Sequence, residues 1–181
     1  MLTEGQRHAL LELARGAVAA QVTGGSPDRV PLSSPEELPD ASGAFVTLKL
    51  RGELRGCLGT LECRRGLAIE VARCAADSAS EDPRFTPVMP GELPELTIEV
   101  SVLGPLERID PLREDAIVIG QHGLVVEQGP RRGLLLPQVA TEWHWTREQF
   151  LRQTCLKAGL PADAWQQGAV VFRFDAEVFG D

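Results

Sequence analysis

Two stretches of the sequence alternate apolar and polar residues with the period of a β-strand. LTIEVSVL at 96–103 places Leu96 and Ile98 on one face and Glu99 on the other, and AVVFRFDAEVF at 169–179 repeats the pattern. Successive side chains of a strand point to opposite faces, so a period of two predicts a half-buried strand. The chain must therefore fold around a sheet that has one well-covered face.

Helical periodicity and turn signals account for most of the remaining chain. Apolar residues recur at helical spacing in three segments, two of which begin with a capping-box pattern, Thr3 with Gln6 and Thr146 with Gln149. Short apolar runs separated by glycine-containing turns predict hairpins. The predicted helices are 4–22, 66–82 and 147–158, and the predicted hairpins are 43–62 and 117–136.

The order of these elements predicts the fold class. Strands joined by short turns, with helices interspersed but no regular βαβα repeat, favour an α+β fold with a largely antiparallel sheet and flanking helices. A length of 181 residues suits a single domain spanning 1–181, and no internal boundary stands out. The longest irregular stretch, 23–42, is rich in proline and glycine and is expected to wrap the surface.

Charge and composition exclude several classes of function. The formal net charge of -8 opposes binding to a phosphate backbone, so no nucleic acid partner is expected. No run of about 18 apolar residues or signal-peptide pattern is present, which predicts a cytoplasmic protein without a membrane span. The cysteines are sparse and show no C-x-x-C spacing, so free thiols in a reducing compartment are expected: Cys57, Cys63, Cys74 and Cys155.

The stretch LRGCLGTLE at 54–62 contains the most conspicuous candidate for chemistry. Cys57 lies between glycines in a predicted strand, where Arg55 could stabilise a thiolate and the amides from Gly56 through Gly59 to Thr60 could line an anion-binding turn. The alternative is an inert thiol that only fills volume in a strand, because unreactive cysteines are among the most buried residues. Both interpretations stay open on the sequence alone.

A cysteine nucleophile needs a base, and the chain has three histidines, His8, His122 and His144. His8 is expected to be solvated, and His144, between two tryptophans, to serve in packing or capping. His122, in GQHGLVV, is the best candidate because a turn between strands can expose an imidazole. The sequence therefore suggests a Cys57 and His122 dyad, and the alternative is that His122 is an exposed turn residue without a functional role.

Other kinds of site have weaker support. The chain contains suitable metal ligand types, but no spacing typical of a metal site, so no metal is expected. Phosphate-loop, dinucleotide and serine-elbow motifs do not occur. Arg131 with Arg132 could bind an anion, and Glu99 and Asp82 are possible acid or base groups, although solvated charges or a helix cap explain them equally well.

Several stretches together resemble the AMMECR-type domain, and in particular its prokaryotic members called AmmeMemoRadiSam system protein A. The similarity runs in order over nearly the whole chain. The stretches that carry it are LRGCLGT at 54–60, DPRFTPV at 82–88, LTIEVSVL at 96–103, GQHGLVVE at 120–127, GLLLPQVA at 133–140 and CLKAGLP at 155–161.

The resemblance implies an α+β domain with a larger and a smaller lobe, separated by a cleft, and it places Cys57 in the most characteristic motif. It also implies an association with a Memo-type protein and a radical-SAM protein. The favoured function is accordingly a binding or accessory module, which could take a small anionic ligand. The alternative is a cysteine-dependent enzyme or redox-responsive site that uses Cys57 with His122. The resemblance names no reaction and no cofactor.

Overall fold

The computed structural model describes residues 2–33 and 37–181, and it divides the chain into two compact units. The first unit, which is the larger, runs to Leu103 and also includes Glu177–Asp181. The second unit is Gly104–Ala176. A larger and a smaller lobe were what the resemblance implied. That the two together form a single domain stays a prediction.

The first unit is a helix-covered antiparallel sheet. It contains, in chain order, α1 (Glu4–Val22), β1 (Gly43–Leu50), β2 (Glu53–Thr60), α2 (Leu67–Ser80) and β3 (Leu96–Leu103). Strand β1 lies in the middle and pairs antiparallel with both β2 and β3. The end of the chain lies beside β3, where Asp181 donates its backbone N–H to the Ile98 carbonyl.

One face of this sheet forms the core of the first unit. Val46 and Leu48 of β1 and Ile98 of β3 are at most 2% exposed and pack in the same cluster as apolar residues of α1 and α2, including Leu10 and Val71. The alternation in 96–103 thus gave the correct core face, but the prediction of a half-buried strand holds only for the first half of β3, because both faces are buried in the second half. The opposite face of the same strands carries the polar residues discussed below.

The second unit combines short strands with two helices. It contains β4 (Glu107–Ile109), β5 (His122–Gln128), β6 (Arg131–Leu135), α3 (Pro137–Glu142), α4 (Arg147–Lys157) and the first part of β7 (Val170–Gly180), whose last residues belong to the first unit. Strand β5 pairs antiparallel with β6 and β7, and β4 pairs antiparallel with β7. Its core contains Leu124, Val126, Phe150, Leu151 and Val171.

The predicted α+β class and the antiparallel pairing are confirmed. Both capping boxes form, with the Thr3 and Thr146 side chains accepting from the backbone N–H of Gln6 and Gln149. The elements that periodicity missed are short: β4 has three residues and α3 has six. The predicted irregular stretch 23–42 contains a brief 3-10 helix, Pro27–Arg29, and its residues 34–36 lie outside the described residues.

Candidate functional site

Cys57 lies in the middle of β2, and its side chain points away from the helices. In the sheet Thr47 of β1 is paired with both Cys57 and Glu99 of β3, so these three side chains form one row across the strands. Thr47 Oγ1 donates a hydrogen bond to Cys57 Sγ at 3.2 Å. All three are partly exposed, whereas Val46 and Leu48 on either side of Thr47 are fully buried.

Arg55 occupies an irregularity in the pairing of β1 with β2. Leu48 is opposite Gly56 and Lys49 is opposite Leu54, which leaves Arg55 as an extra residue, as in a β-bulge. Its guanidinium binds both carboxylate oxygens of Glu92, at 2.8 and 3.0 Å, and donates to the Thr86 and Pro87 carbonyls. The Arg55 hydrogen bond lowers the pKa of Glu92 below its ordinary value. Arg55 thus holds a loop of its own chain.

Asp82 is the main support behind the cysteine motif. It is 4% exposed, and its carboxylate accepts hydrogen bonds from the backbone N–H of Cys57 at 2.9 Å, from the Arg84 N–H and from the Arg84 guanidinium. The hydrogen bond from the Arg84 side chain is the largest cause that holds the pKa of Asp82 well below its usual range. Arg84 also donates to the Cys57 carbonyl at 3.3 Å. We call Asp82 and Arg84 the β2 clamp.

The two glycines of the motif are required by close packing. A Cβ at Gly56 would lie 2.1 Å from the Ser78 carbonyl oxygen in α2, and a Cβ at Gly59 would lie 2.2 Å from the Phe45 ring. Ser78 also accepts the Leu58 N–H through its hydroxyl and donates to the Val46 carbonyl. The glycines therefore allow β2 to approach the helix and the neighbouring ring.

The remaining candidates of the first unit have local partners. Thr60 ends β2, where its hydroxyl accepts from the Glu62 N–H and contacts the Glu62 carbonyl. Glu99 pairs with Lys49 at 3.3 Å, with both side chains partly exposed. Thus Lys49, Thr47, Cys57 and Glu99 give the sheet a polar face with one thiol, one hydroxyl and two opposite charges, which we call the polar face of the first unit.

His122 begins β5 in the second unit and is buried, at 7% exposure, although its position at a turn had suggested an exposed ring. Its Nδ1 accepts the Val118 N–H at 3.0 Å, and its Nε2 lies 3.7 Å from Asp175 Oδ1. Burial is the largest cause that lowers the pKa of His122, and the Arg173 charge adds to it.

The two residues of the predicted dyad belong to different units, and each has a hydrogen-bond partner within its own unit. Cys57 is hydrogen-bonded to Thr47, and His122 to Val118. Arg131 is also in the second unit, where it donates to the Gly159 carbonyl at 2.8 Å. The dyad and the anion site stay predictions.

The other three cysteines are also free thiols. Cys74 and Cys155 are buried, and burial raises the pKa of Cys74 to about 12. Within the described residues, no group of three histidine, cysteine or acidic side chains is arranged to hold a metal ion. In the same residues, no helix is both long and apolar enough to cross a membrane.

Comparisons with known sequences and structures show which proteins this chain resembles. The AMMECR1 family model matches residues 11–179. A protein of Methanothermobacter thermautotrophicus is 42% identical over 98% of this chain and 95% of its own length, and one of Thermococcus gammatolerans is 46% identical over 94% and 87%. The crystal structure of an uncharacterized protein from Pyrococcus horikoshii matches with a TM-score of 0.87 and 40% identity, covering all of this chain and 93% of that one. The chain belongs to the AMMECR1 family.

Sequence reasoning missed the residues that support the cysteine. Asp82 had been considered as an acid, a base or a helix cap, and Thr47, Ser78 and Arg84 were not singled out. One signal was available, since DPRFTPV at 82–88 was among the stretches that carried the family resemblance. The sequence did not indicate that this stretch binds the β2 backbone, because the contact joins residues 25 positions apart.

Proposed function

We propose that this protein is a binding module whose partner docks on the polar face of the first unit. The observation that carries the proposal is the asymmetry of β2. On its helix side β2 packs through Gly56 against Ser78, and the β2 clamp binds the Cys57 backbone, while the row that contains Cys57 faces away from the helices and is partly exposed. A strand whose backbone is held in this way presents its open face in a constant geometry, which lowers the entropy lost on binding.

The chemistry of this face suits a polar partner surface. Lys49 and Glu99 offer one charge of each sign. Thr47 adds a hydroxyl and Cys57 adds a thiol, which is a weak donor, and the two side chains are hydrogen-bonded across the strands. Opposite charges placed side by side favour a partner with the complementary arrangement and select its orientation. A small anionic ligand at the cysteine motif stays a prediction; Lys49 is the cation on this face that could meet it.

Family membership supports a proposal about the partner. We take it to be a Memo-type protein, a radical-SAM protein or both, which is what the resemblance to AmmeMemoRadiSam system protein A implies. Such a module would act in the cytoplasm without nucleic acid, and both of these statements also stay predictions.

The test is a binding titration of the purified Memo-type and radical-SAM proteins against this chain, with the Glu99→Lys variant as probe. Reversing a charge in the docking face should weaken binding at least tenfold, which corresponds to about 1.4 kcal/mol. Glu12→Lys is the matched control, because it makes the same charge change at an exposed site of α1 in the helical layer. Absence of binding by wild type, or equal losses in both variants, would overturn the proposal.

A thiol-dependent function is the second candidate, favoured by the partial exposure of Cys57 and its hydrogen bond from Thr47. The thiolate is the reactive form, so an activated cysteine reacts with iodoacetamide at pH 6 much faster than an unperturbed one. The binding proposal expects Cys57 to react no faster in the folded chain than in the denatured chain. The buried Cys74 and Cys155 are internal references that should be protected by folding. Faster reaction of folded Cys57 would favour the enzyme.

A further inference from the structure

The second unit contains a small polar pocket that the proposed function does not use. The pocket has a volume of about 170 Å³ and is lined mainly by Glu107, Gln121, His122, Arg173, Phe174 and Asp175. The sheet itself assembles it, because His122 is paired with Asp175 between β5 and β7 and Glu107 with Arg173 between β4 and β7. The polar side chains are thus held by strand register at one end of the second unit's sheet.

His122 leaves one hydrogen-bond donor unused in this pocket. Its Nδ1 accepts the Val118 N–H, so the neutral ring carries its proton on Nε2. Nε2 is 3.7 Å from Asp175 Oδ1, which is beyond hydrogen-bond distance. In the part of the chain that the structure describes, no side chain or carbonyl forms a hydrogen bond with that proton. A ligand in the pocket that brings an acceptor oxygen to Nε2 would receive this proton.

The charges around the pocket determine what else such a ligand needs. Arg173 is paired with Glu107 at 2.9 Å and donates to the Ala116 carbonyl, so its charge is compensated within the protein. Asp175, whose side chain is 72% exposed, has contacts with His122 at 3.7 Å and Gln121 at 3.5 Å, neither of which carries a compensating charge when the ring is neutral. One net negative charge remains, which favours a cation over an anion.

We propose that this pocket binds a small primary ammonium compound with a carbonyl or hydroxyl oxygen near the charge, such as an amino amide. The ammonium group would meet the Asp175 carboxylate, and the oxygen would accept the Nε2 proton of His122. The pocket volume equals the share of about five or six water molecules in the liquid, and glycinamide, with five non-hydrogen atoms, fits this size. The inference is independent of the partner-binding proposal, since it uses no residue of the first unit.

The probe is glycinamide, titrated into the isotope-labelled full chain and followed by NMR. We expect glycinamide to bind with millimolar affinity and to move the Nε2 proton resonance of His122. Acetamide, which lacks the charge, and methylammonium, which lacks the oxygen, should each bind at least tenfold more weakly. No shift at His122 with glycinamide, or equal affinity for the three compounds, would refute the proposal.

Two variants complete the test. Asp175→Asn removes the charge at an exposed position and should weaken glycinamide binding at least tenfold. Asp163→Asn makes the same change at another exposed site of the second unit, outside the pocket, and should leave binding unchanged. Circular dichroism and amide spectra would confirm that both variants fold. Equal affinity in the two variants would count against a role for Asp175 and against the proposal.

Discussion

The β2 motif and the His122 pocket differ in how completely their polar groups are paired. At the motif, the Cys57 N–H, the Asp82 carboxylate and the guanidinium groups of Arg55 and Arg84 all bind atoms of the same chain. In the pocket, His122 keeps a proton without an acceptor. A conspicuous sequence motif can thus mark the scaffold of a site, while a less conspicuous histidine keeps a hydrogen-bond donor that a ligand could use.

The largest expected effect tests whether the β2 clamp is a scaffold. Asp82→Ala removes an acceptor that serves the Cys57 N–H and three N–H groups of Arg84. Unpaired buried donors are costly, but half-exposed Arg84 can regain hydrogen bonds from water, which limits the cost. We therefore expect a loss of about 3 kcal/mol in the free energy of unfolding. Urea denaturation measures it.

The exposed Asp28→Ala provides the control for this change, with an expected loss below about 0.5 kcal/mol. Hydrogen exchange at the Cys57 amide gives a second readout, since that amide should exchange faster once its acceptor is gone. Equal stability of the two variants would mean that the motif is not held by Asp82, and the contrast with the pocket would lose its basis.

A smaller effect is expected from the close backbone approach at Gly56. Gly56→Ala would place a methyl group against the Ser78 carbonyl, a backbone atom that cannot rotate away, and should cost about 2 kcal/mol of unfolding free energy. Gly91→Ala, where no heavy atom lies within 4 Å of the added carbon, should change stability by less than about 0.5 kcal/mol. Thermal or urea unfolding of both variants gives the comparison.

The second unit offers a matching position that sharpens this test. A Cβ at Gly133 would lie 2.3 Å from the Ala158 backbone nitrogen, so Gly133→Ala should be destabilising in the same way. If all three glycine variants were equally stable, backbone approach would not be a constraint in either unit. If only Gly56→Ala were destabilised, tight backbone packing would belong to the motif alone.

The sequence was sufficient for elements whose signal is local. The helices with capping boxes at Thr3 and Thr146 and the alternating strand at 96–103 followed from spacing, because side-chain periodicity reports directly which face is buried. Short elements such as α3 escaped, since six residues contain fewer than two helical turns of pattern.

The site could be predicted only in part, for physical reasons that particular residues illustrate. Cys57 was identified by its unusual neighbours, but its alignment with Thr47 and Glu99 depends on strand register, and the extra residue at Arg55 shifts that register. A role for Arg55 beside a thiolate or a ligand stays a prediction; in the structure its guanidinium binds Glu92, which lies 37 positions away. A charge pairs with whichever opposite charge the fold brings near, and one sequence does not contain that information.

The smallest expected effect concerns the proton on His122. With Nδ1 accepting the Val118 N–H, protonation of Nδ1 would replace an acceptor by a donor facing another donor, and burial opposes the charge as well. Arg173 lowers the pKa further, while Asp175 and Glu107 oppose the shift. The folded chain should therefore titrate His122 below the ordinary value of 6.5. As the pH falls below about 6.5, the unfolded chain takes up this proton first, so the folded state loses stability.

Nitrogen-15 NMR of the ring should show a protonated Nε2 and an unprotonated Nδ1 at pH 7. A neutral ring with its proton on Nδ1 would remove the unused donor and with it the difference between the pocket and the β2 motif. A pKa at or above 6.5 would contradict the expected loss of stability at low pH.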